Sequence, residues 1–292
     1  MKTKLSLLTL VVSVFFSCEF NKSVKLDLLT GLSTQGDGLS AGDVYLTINE
    51  DERIKRNTFV YGEIFYLNFN DVKGFVKEGE NVFPGMELTI VGEKGDTAMH
   101  YDDMYANETA GVNITPLLLY TNVTVAKPMT SNQKYTLHVH IWDKKGTGTY
   151  RATFNFDVVP NDQIAITKDA AITYNNIYLF SKEDGTITDN KIKPNQTYFM
   201  LFEGLTGFKE EEGRVSVGLS VLAKSNSGEI LLDEKDLLGD GEWEPGTVYE
   251  QVSSDIIFRD PSIQTPISCE FVIYDKKSEA SISASVSLEF EK

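Results

Sequence analysis

Tyr135-Thr136-Leu137-His138-Val139-His140-Ile141-Trp142 is the stretch that decides the fold. Leu137, Val139 and Ile141 alternate with His138 and His140, the period of a strand with one buried face. A run far downstream repeats the pattern, with Cys269, Phe271 and Ile273 alternating with Ser268, Glu270 and Val272. Val286, Leu288 and Phe290 alternate with Ser287 and Glu289, whereas Tyr150 to Val158 alternates less cleanly. Strand signals also cover Ile64 to Phe69, Met86 to Val91, Leu117 to Val125, Tyr198 to Phe202 and Leu219 to Leu222. Turn residues separate them at Lys94-Gly95-Asp96, Lys144-Lys145-Gly146, Asp184-Gly185 and Ser227-Gly228. Short strands, regular turns and no long amphipathic helix predict a β-sandwich. Asp103-Met104-Tyr105 and Asp236-Leu237-Leu238 are each expected to start a single helical turn.

The pattern is written twice. Phe69, Gly74, Phe75, Glu78, Val82, Gly85, Gly95 and Asp103 match Phe202, Gly207, Phe208, Glu211, Val215, Gly218, Gly228 and Asp236 at one constant offset. Tyr45-Leu46 and Tyr178-Leu179 extend the match upstream. Ile141, Asp143, Lys144 and Lys145 resume it downstream against Ile273, Asp275, Lys276 and Lys277, one residue closer. The repeated glycines read as turns or bulges, and Phe69, Phe75 and Val82 with their partners read as core. The expected organisation is a leader over residues 1–17, a tether over 18–30, one sandwich over 31–160 and its duplicate over 161–292. The boundary falls near Pro160-Asn161.

Tyr135 leading into Leu137, followed by Trp142-Asp143-Lys144, resembles the late hairpin of immunoglobulin-like domains. The resemblance covers that hairpin in each copy; Ile267 replaces Tyr135 in the second, and neither copy has the inter-sheet cysteine pair. It implies an all-β chain of two tandem immunoglobulin-like sandwiches, and it implies no activity.

The N-terminus carries the address. Lys2 and Lys4 precede an apolar stretch from Leu5 to Phe16, and Ser17 stands before Cys18. A basic region, a short apolar region and a small residue before a cleavage point make a secretory signal peptide. The stretch is shorter than the roughly 20 apolar residues a spanning helix needs. With Cys at the cleavage position, the leader resembles that of bacterial lipoproteins. Phe15, Phe16 and Ser17 before the Cys are similar to leaders of the Bacteroidota. The resemblance implies that Cys18 becomes the lipid-bearing N-terminus of an outer-membrane lipoprotein. Cys18 is followed by a single acid, Glu19, so the periplasmic face and the cell surface both stay open.

Composition narrows the partners. The formal net charge is −16, and loss of Lys2 and Lys4 with the leader makes the body more negative still. Binding to a nucleic-acid backbone needs a basic face, so that class is excluded as a main function. Attachment to anionic lipid by charge is disfavoured in the same way. Apart from Cys18 the only cysteine is Cys269, so no internal disulfide is expected in the body. Cys269 takes the place of Leu137, and a buried, unpaired thiol is expected there.

Few residues suggest chemistry. His138 and His140 leave the same strand face and form a conceivable ligand pair, but two imidazoles without a third ligand make a weak metal site. The second copy holds Glu270 and Val272 there, and Asp233 opposite His100. Acidic clusters at Asp102-Asp103, Glu210 to Glu212, Asp233 to Asp236 and Asp240 to Glu244 lack the spacing of a calcium loop. No nucleophile elbow, phosphate loop or zinc-protease helix is present. No catalytic residue, metal or cofactor is expected.

The candidate binding residues are therefore aromatic. Trp243 lies between Glu242 and Glu244 in the stretch Gly239 to Gly246, where apolar area sits beside acceptors. The first copy has Ala106, Asn107 and Glu108 followed by Gly111 at the corresponding place. Tyr101 and Tyr105 are the analogous candidates there. The expected function is a non-enzymatic, lipid-anchored envelope protein that binds or assembles with another protein. The alternative is a glycan-binding outer-membrane lipoprotein using these rings as a stacking platform.

Overall fold

The computed structural model describes residues 22–48 and 52–291. Cys18 and the leader lie outside the described residues. The first half contains β1 (Lys22–Leu26), β2 (Ser33–Asp37), β3 (Asp43–Ile48), β4 (Glu52–Ile54), β5 (Thr58–Val60), β6 (Ile64–Asn70), β7 (Pro84–Gly92), β8 (Thr97–Tyr101), β9 (Leu119–Thr124), β10 (Gln133–Asp143) and β11 (Thr149–Val159). The second half contains β12 (Ala165–Lys168), β13 (Asn176–Ser181), β14 (Gly185–Ile187), β15 (Lys191–Ile192), β16 (Thr197–Glu203), β17 (Glu210–Glu211), β18 (Arg214–Val215), β19 (Val217–Lys224), β20 (Ile230–Glu234), α1 (Pro245–Glu250), β21 (Val252–Ile257), β22 (Ile267–Asp275) and β23 (Ser281–Phe290).

In the first half β1-β2-β11-β10-β7-β8 form one sheet and β4-β3-β6-β9 the other. In the second, β12-β23-β22-β19-β20 faces β14-β13-β16-β21. Short parallel strands, β5 on β11 and β15 on β23, close one edge of each sandwich. This partition of strands between two antiparallel sheets is immunoglobulin-like. Tyr135, at the start of β10, accepts a hydrogen bond from Thr130 N on its hydroxyl at 2.9 Å, the tyrosine-corner contact of such folds.

The alternation in β10 determines the layers. Leu137, Val139 and Ile141 are buried between Phe154, Ala152 and Tyr150 of β11 and Ile90, Leu88 and Met86 of β7. Cys269, Phe271 and Ile273 sit likewise between Val286, Ala284 and Ile282 of β23 and Ala223, Val221 and Leu219 of β19. Each sandwich has its own core, and the two differ in filling. Phe59, Phe65, Phe154 and Phe156 form one cluster in the first, with centroids 4.3–6.2 Å apart. Ile192, Tyr198, Val286 and Leu288 are buried at the matching places in the second. Volume is conserved loosely between copies while the face pattern is kept.

Matching residues do matching work. Gly85 lies under the ring of Trp142, and Gly218 under that of Tyr274. Asp143 accepts Val76 N at 2.7 Å and Lys145 N at 2.9 Å; Asp275 accepts Lys209 N at 2.6 Å and Lys277 N at 2.9 Å. Lys144 pairs with Asp103 at 2.7 Å and Lys276 with Asp236 at 2.5 Å.

Three expectations are corrected. Tyr150 to Val158 alternates cleanly, with Tyr150, Ala152, Phe154, Phe156 and Val158 all buried. Arg151, Thr153, Asn155 and Asp157 between them make the outer face, so the period of two was already written in the sequence. Residues 22–30, assigned to a tether, form β1 and the turn after it, paired along β2. The single turn expected at Asp103 is present, with Ala106 N on Asp103 O at 3.2 Å, but none starts at Asp236, whose carboxylate instead accepts Leu238 N at 3.1 Å. The one α-helix among the described residues is Pro245–Glu250. It has Pro near its start and no side-chain cap.

Cys269 is a free, buried thiol, and burial pushes its pKa up to about 12. We expect no labelling of the native protein by a thiol reagent under conditions that label the denatured chain at once. The unfolded chain loses this proton near the ordinary thiol value while the folded chain keeps it, so stability falls as pH rises from about 9 toward 12. The check is the difference in pH-dependent unfolding between wild type and Cys269→Ala; native labelling at the denatured rate would overturn the placement.

Candidate functional site

The stretch around Trp243 is built by main-chain pairing. Trp243 N donates to Val215 O at 2.9 Å and Val215 N to Trp243 O at 3.0 Å. Val82 and Val112 make the same pair in the first copy, so Trp243 stands where the fold accepts a valine. The indole packs over Gly241 and is half-buried against the second core. Glu242 and Glu244 flank it, exposed. Glu242 pairs with Lys277 at 2.8 Å, and Lys277 with Glu211 at 3.2 Å. The hydrogen bond to Glu242, then that to Glu211, holds the Lys277 ammonium above its ordinary value. The stretch is not all loop, because Pro245 already belongs to α1.

Beside it runs a groove of about 370 Å³ at the end of the second sandwich. Leu205, Gly207 and Phe208 make one wall; Pro245, Val248 and Tyr249 make the other. Gly207 turns the first wall, and its φ of +97° brings its Cα against Ala171 O. Lys209 N on Asp275 pins the end of that turn. On the helix, Val248 faces in while Tyr249 stays 43% exposed. Gly204 N donates to Tyr249 O at 2.8 Å, which fixes the helix to β16.

The first copy has a groove at the same place, of about 220 Å³, lined by Val72, Gly74, Phe75 and Val82. Its second wall is different: Ile114 to Leu117 stand where the other copy has a helix. Tyr101 is exposed on β8. Tyr105 is half-buried: it accepts Tyr120 N at 3.3 Å on its hydroxyl, and burial pushes its phenol pKa up. Neither lines this groove, and both belong to the other sandwich from Trp243, Glu242 and Glu244. Sequence reasoning missed Tyr120, which is 57% exposed and lies 6.2 Å from Tyr66 with the rings tilted by 49°. The signal was present in β9, where Leu119, Thr121 and Val123 are buried and Tyr120 and Asn122 must point out.

His138 and His140 do share the outer face of β10. His138 Nδ1 lies 3.4 Å from Thr153 Oγ1, and His140 Nδ1 lies 3.8 Å from Glu87. Burial, and then the Arg151 charge, lowers the His140 pKa. His100 is tied to Thr89 and Asp102, each at 2.9 Å. Among the described residues no three His, Cys, Asp or Glu side chains come together to hold a metal. Nor is any described helix long and apolar enough to cross a membrane.

No family model and no curated protein matches the chain. Among solved structures, pT26-6p aligns over 93% of this chain and 66% of its own, at 9% identity and a TM-score of 0.27. The chain thus spans just under two thirds of that protein. A DUF3823 family protein from Bacteroides ovatus aligns over 74% and 96%, at 10% identity and a TM-score of 0.23. The C-terminal domain of the Streptococcus agalactiae AgI/II polypeptide BspA aligns over 84% and 99%, at 11% identity and 0.24.

Proposed function

We propose that this chain is a non-enzymatic, lipid-anchored envelope protein that binds another protein through the end of its second sandwich. The contact is the groove between Phe208 and Tyr249 together with the stretch Gly239 to Gly246. What carries the reading is the comparison between copies. The groove recurs at one place in the fold, its inner wall is shared, and its outer wall has diverged into α1 beside Trp243. Divergence confined to one wall of a kept scaffold is how binding segments vary on sandwiches. Around the buried floor of Leu205 and Val248 the groove mixes Phe208 and Tyr249 with Glu210, and Glu242 and Glu244 stand beside it. That mixture suits a protein partner better than a sugar ring.

The test substitutes Tyr249→Ala and Trp243→Ala and compares pull-downs from envelope extract with thermal unfolding. Tyr249→Ala is expected to reduce capture of the same partner at least roughly tenfold with little change in melting, as truncated anchors do. Trp243→Ala should weaken capture and also cost about 1–2 kcal/mol, since only part of the ring is buried. Unchanged capture in both variants rejects the groove. Binding to an arrayed glycan that both variants abolish would replace the protein partner by a sugar.

A further inference from the structure

Strand β1 joins the first sheet by its main chain and leaves its apolar side chains in solvent. It runs antiparallel to β2 from Lys22 opposite Asp37 to Leu26 opposite Ser33. Val24 is 74% exposed and Leu26 58%; in the turn that follows, Leu28 is 87% and Leu29 68% exposed. The turn is not loose. Gly31 N bonds Asp27 O at 2.8 Å, Asp27 N bonds Leu32 O at 2.9 Å, and Leu29 N bonds the Asp27 carboxylate at 2.9 Å. Thr30 is buried, with its hydroxyl taking Leu32 N at 3.2 Å. The hairpin thus buries Thr30 and Leu32 but holds Val24, Leu26, Leu28 and Leu29 outward, four aliphatic residues where water disfavours them.

The sandwich does not require this strand. In the second copy β12 occupies the place of β2, and no described strand covers its outer edge. Position then names the occupant. Lys22 lies four residues beyond Cys18, a reach of at most about 14 Å of extended chain. The polar layer of one leaflet is roughly 5–8 Å deep. A lipid on Cys18 would hold the hairpin at the bilayer surface. Lys22 shares the outer face with Val24 and Leu26 and pairs with Asp37 at 3.5 Å, while Lys25 points to the other face and bonds Ala41 O at 3.1 Å, so what the outer face of β1 adds to a strongly acidic chain is apolar. Val24 and Leu26 share one face of β1, and the turn that follows adds Leu28 and Leu29 to the exposed apolar residues at that end of the sheet.

The geometry points to the β1–β2 hairpin as a second membrane contact, with Val24, Leu26, Leu28 and Leu29 seated at the headgroup–acyl boundary beside the anchor. This rests on the anchored reading of Cys18. The contact fixes how the sandwiches stand on the membrane, which a lone tether would leave free.

The test uses the mature chain from Cys18, made without its leader and coupled through the Cys18 thiol to a maleimide lipid in phosphatidylcholine vesicles. Cys269 is buried and stays unmodified. Leu28→Trp reports depth, measured as the difference from the native tryptophans; Ile230→Trp on β20 is the control. Brominated lipid is expected to quench the added tryptophan at 28 by roughly twofold and to leave that at 230 unquenched, as for a residue in the interface. Equal quenching at both positions, or none at 28, overturns the proposal. A concentration-dependent blue shift at 28 without vesicles means a second copy covers the patch and also overturns it. The lipid is supplied chemically, so this result stands apart from cell fractionation of Cys18→Ala. Retention of that variant in the membrane fraction would reject the anchor instead.

Discussion

Gly207→Ala is expected to destabilise the protein by about 3–4 kcal/mol, far beyond an ordinary surface change, because strain and a main-chain collision act together. The backbone φ is +97°, a region L side chains rarely enter. A Cβ at that position would lie 2.0 Å from Ala171 O and 2.7 Å from Ala171 C. Both neighbours are main chain next to Ile172, itself fully buried, so the obstruction cannot swing away. Gly74→Ala should behave alike, with φ +101° and a Cβ 2.2 Å from Gly38 O. Gly185→Ala is the control: φ is +77° but nothing lies within 4 Å, so it should cost about 1–2 kcal/mol from backbone strain alone. Thermal or urea unfolding of the three variants makes the comparison. If Gly207→Ala costs no more than Gly185→Ala, the close approach is not what the glycine is for.

This pair of glycines shows what the sequence could disclose. Gly74 and Gly207 stood out because a duplicated chain keeps residues the fold needs, and the fold needs them twice. The same holds for Asp143 and Asp275, whose carboxylates tie the start of one segment to the end of a hairpin. Strands with one wet and one dry face, such as β10 and β22, were legible from alternation. The polar strands toward the sheet margins were not. In β2, Ser33-Thr34-Gln35-Gly36-Asp37 has no apolar residue to mark a buried face, yet it pairs along β11 through its main chain. Main-chain pairing is nearly indifferent to side chain, and so leaves no pattern to read.

The candidate site was legible only in part. Trp243 was visible as a large ring in a turn-rich stretch. Its pairing with Val215 was not, because that contact follows from how the long connection folds back. The groove wall made by Val248 and Tyr249 escaped notice for a related reason. A helix of six residues is too short to establish a period.

Glu203 was equally invisible, and its removal has the second large expected effect. It has no acidic counterpart in the first copy, where Asn70 stands at the matching place, so duplication did not mark it. The structure places its buried carboxylate at the junction of the sandwiches. It accepts the hydroxyl of Tyr61 from the first sandwich at 2.7 Å, with Asn176 Nδ2 and the Tyr178 hydroxyl each at 3.2 Å. The Lys127 ammonium stands 3.8 Å away and also bonds Glu250 O at 2.7 Å. Burial, and then Glu203 itself, drives the phenols of Tyr61 and Tyr178 far above the ordinary value, so they remain donors. Asn176 adds a second bridge by accepting Ser131 N at 2.9 Å. Glu203→Ala strands three donors in a closed space and is expected to cost about 3–5 kcal/mol. Glu203→Gln keeps an acceptor toward Tyr61 and should cost about 1–2 kcal/mol. The carboxylate joins two separate cores, so its loss should also uncouple them. Calorimetry of Glu203→Ala should resolve two transitions, where Glu203→Gln melts as the wild type does. A double-mutant cycle with Tyr61→Phe isolates the bond across the junction. Additive effects in that cycle would show that Glu203 supports its own sandwich alone.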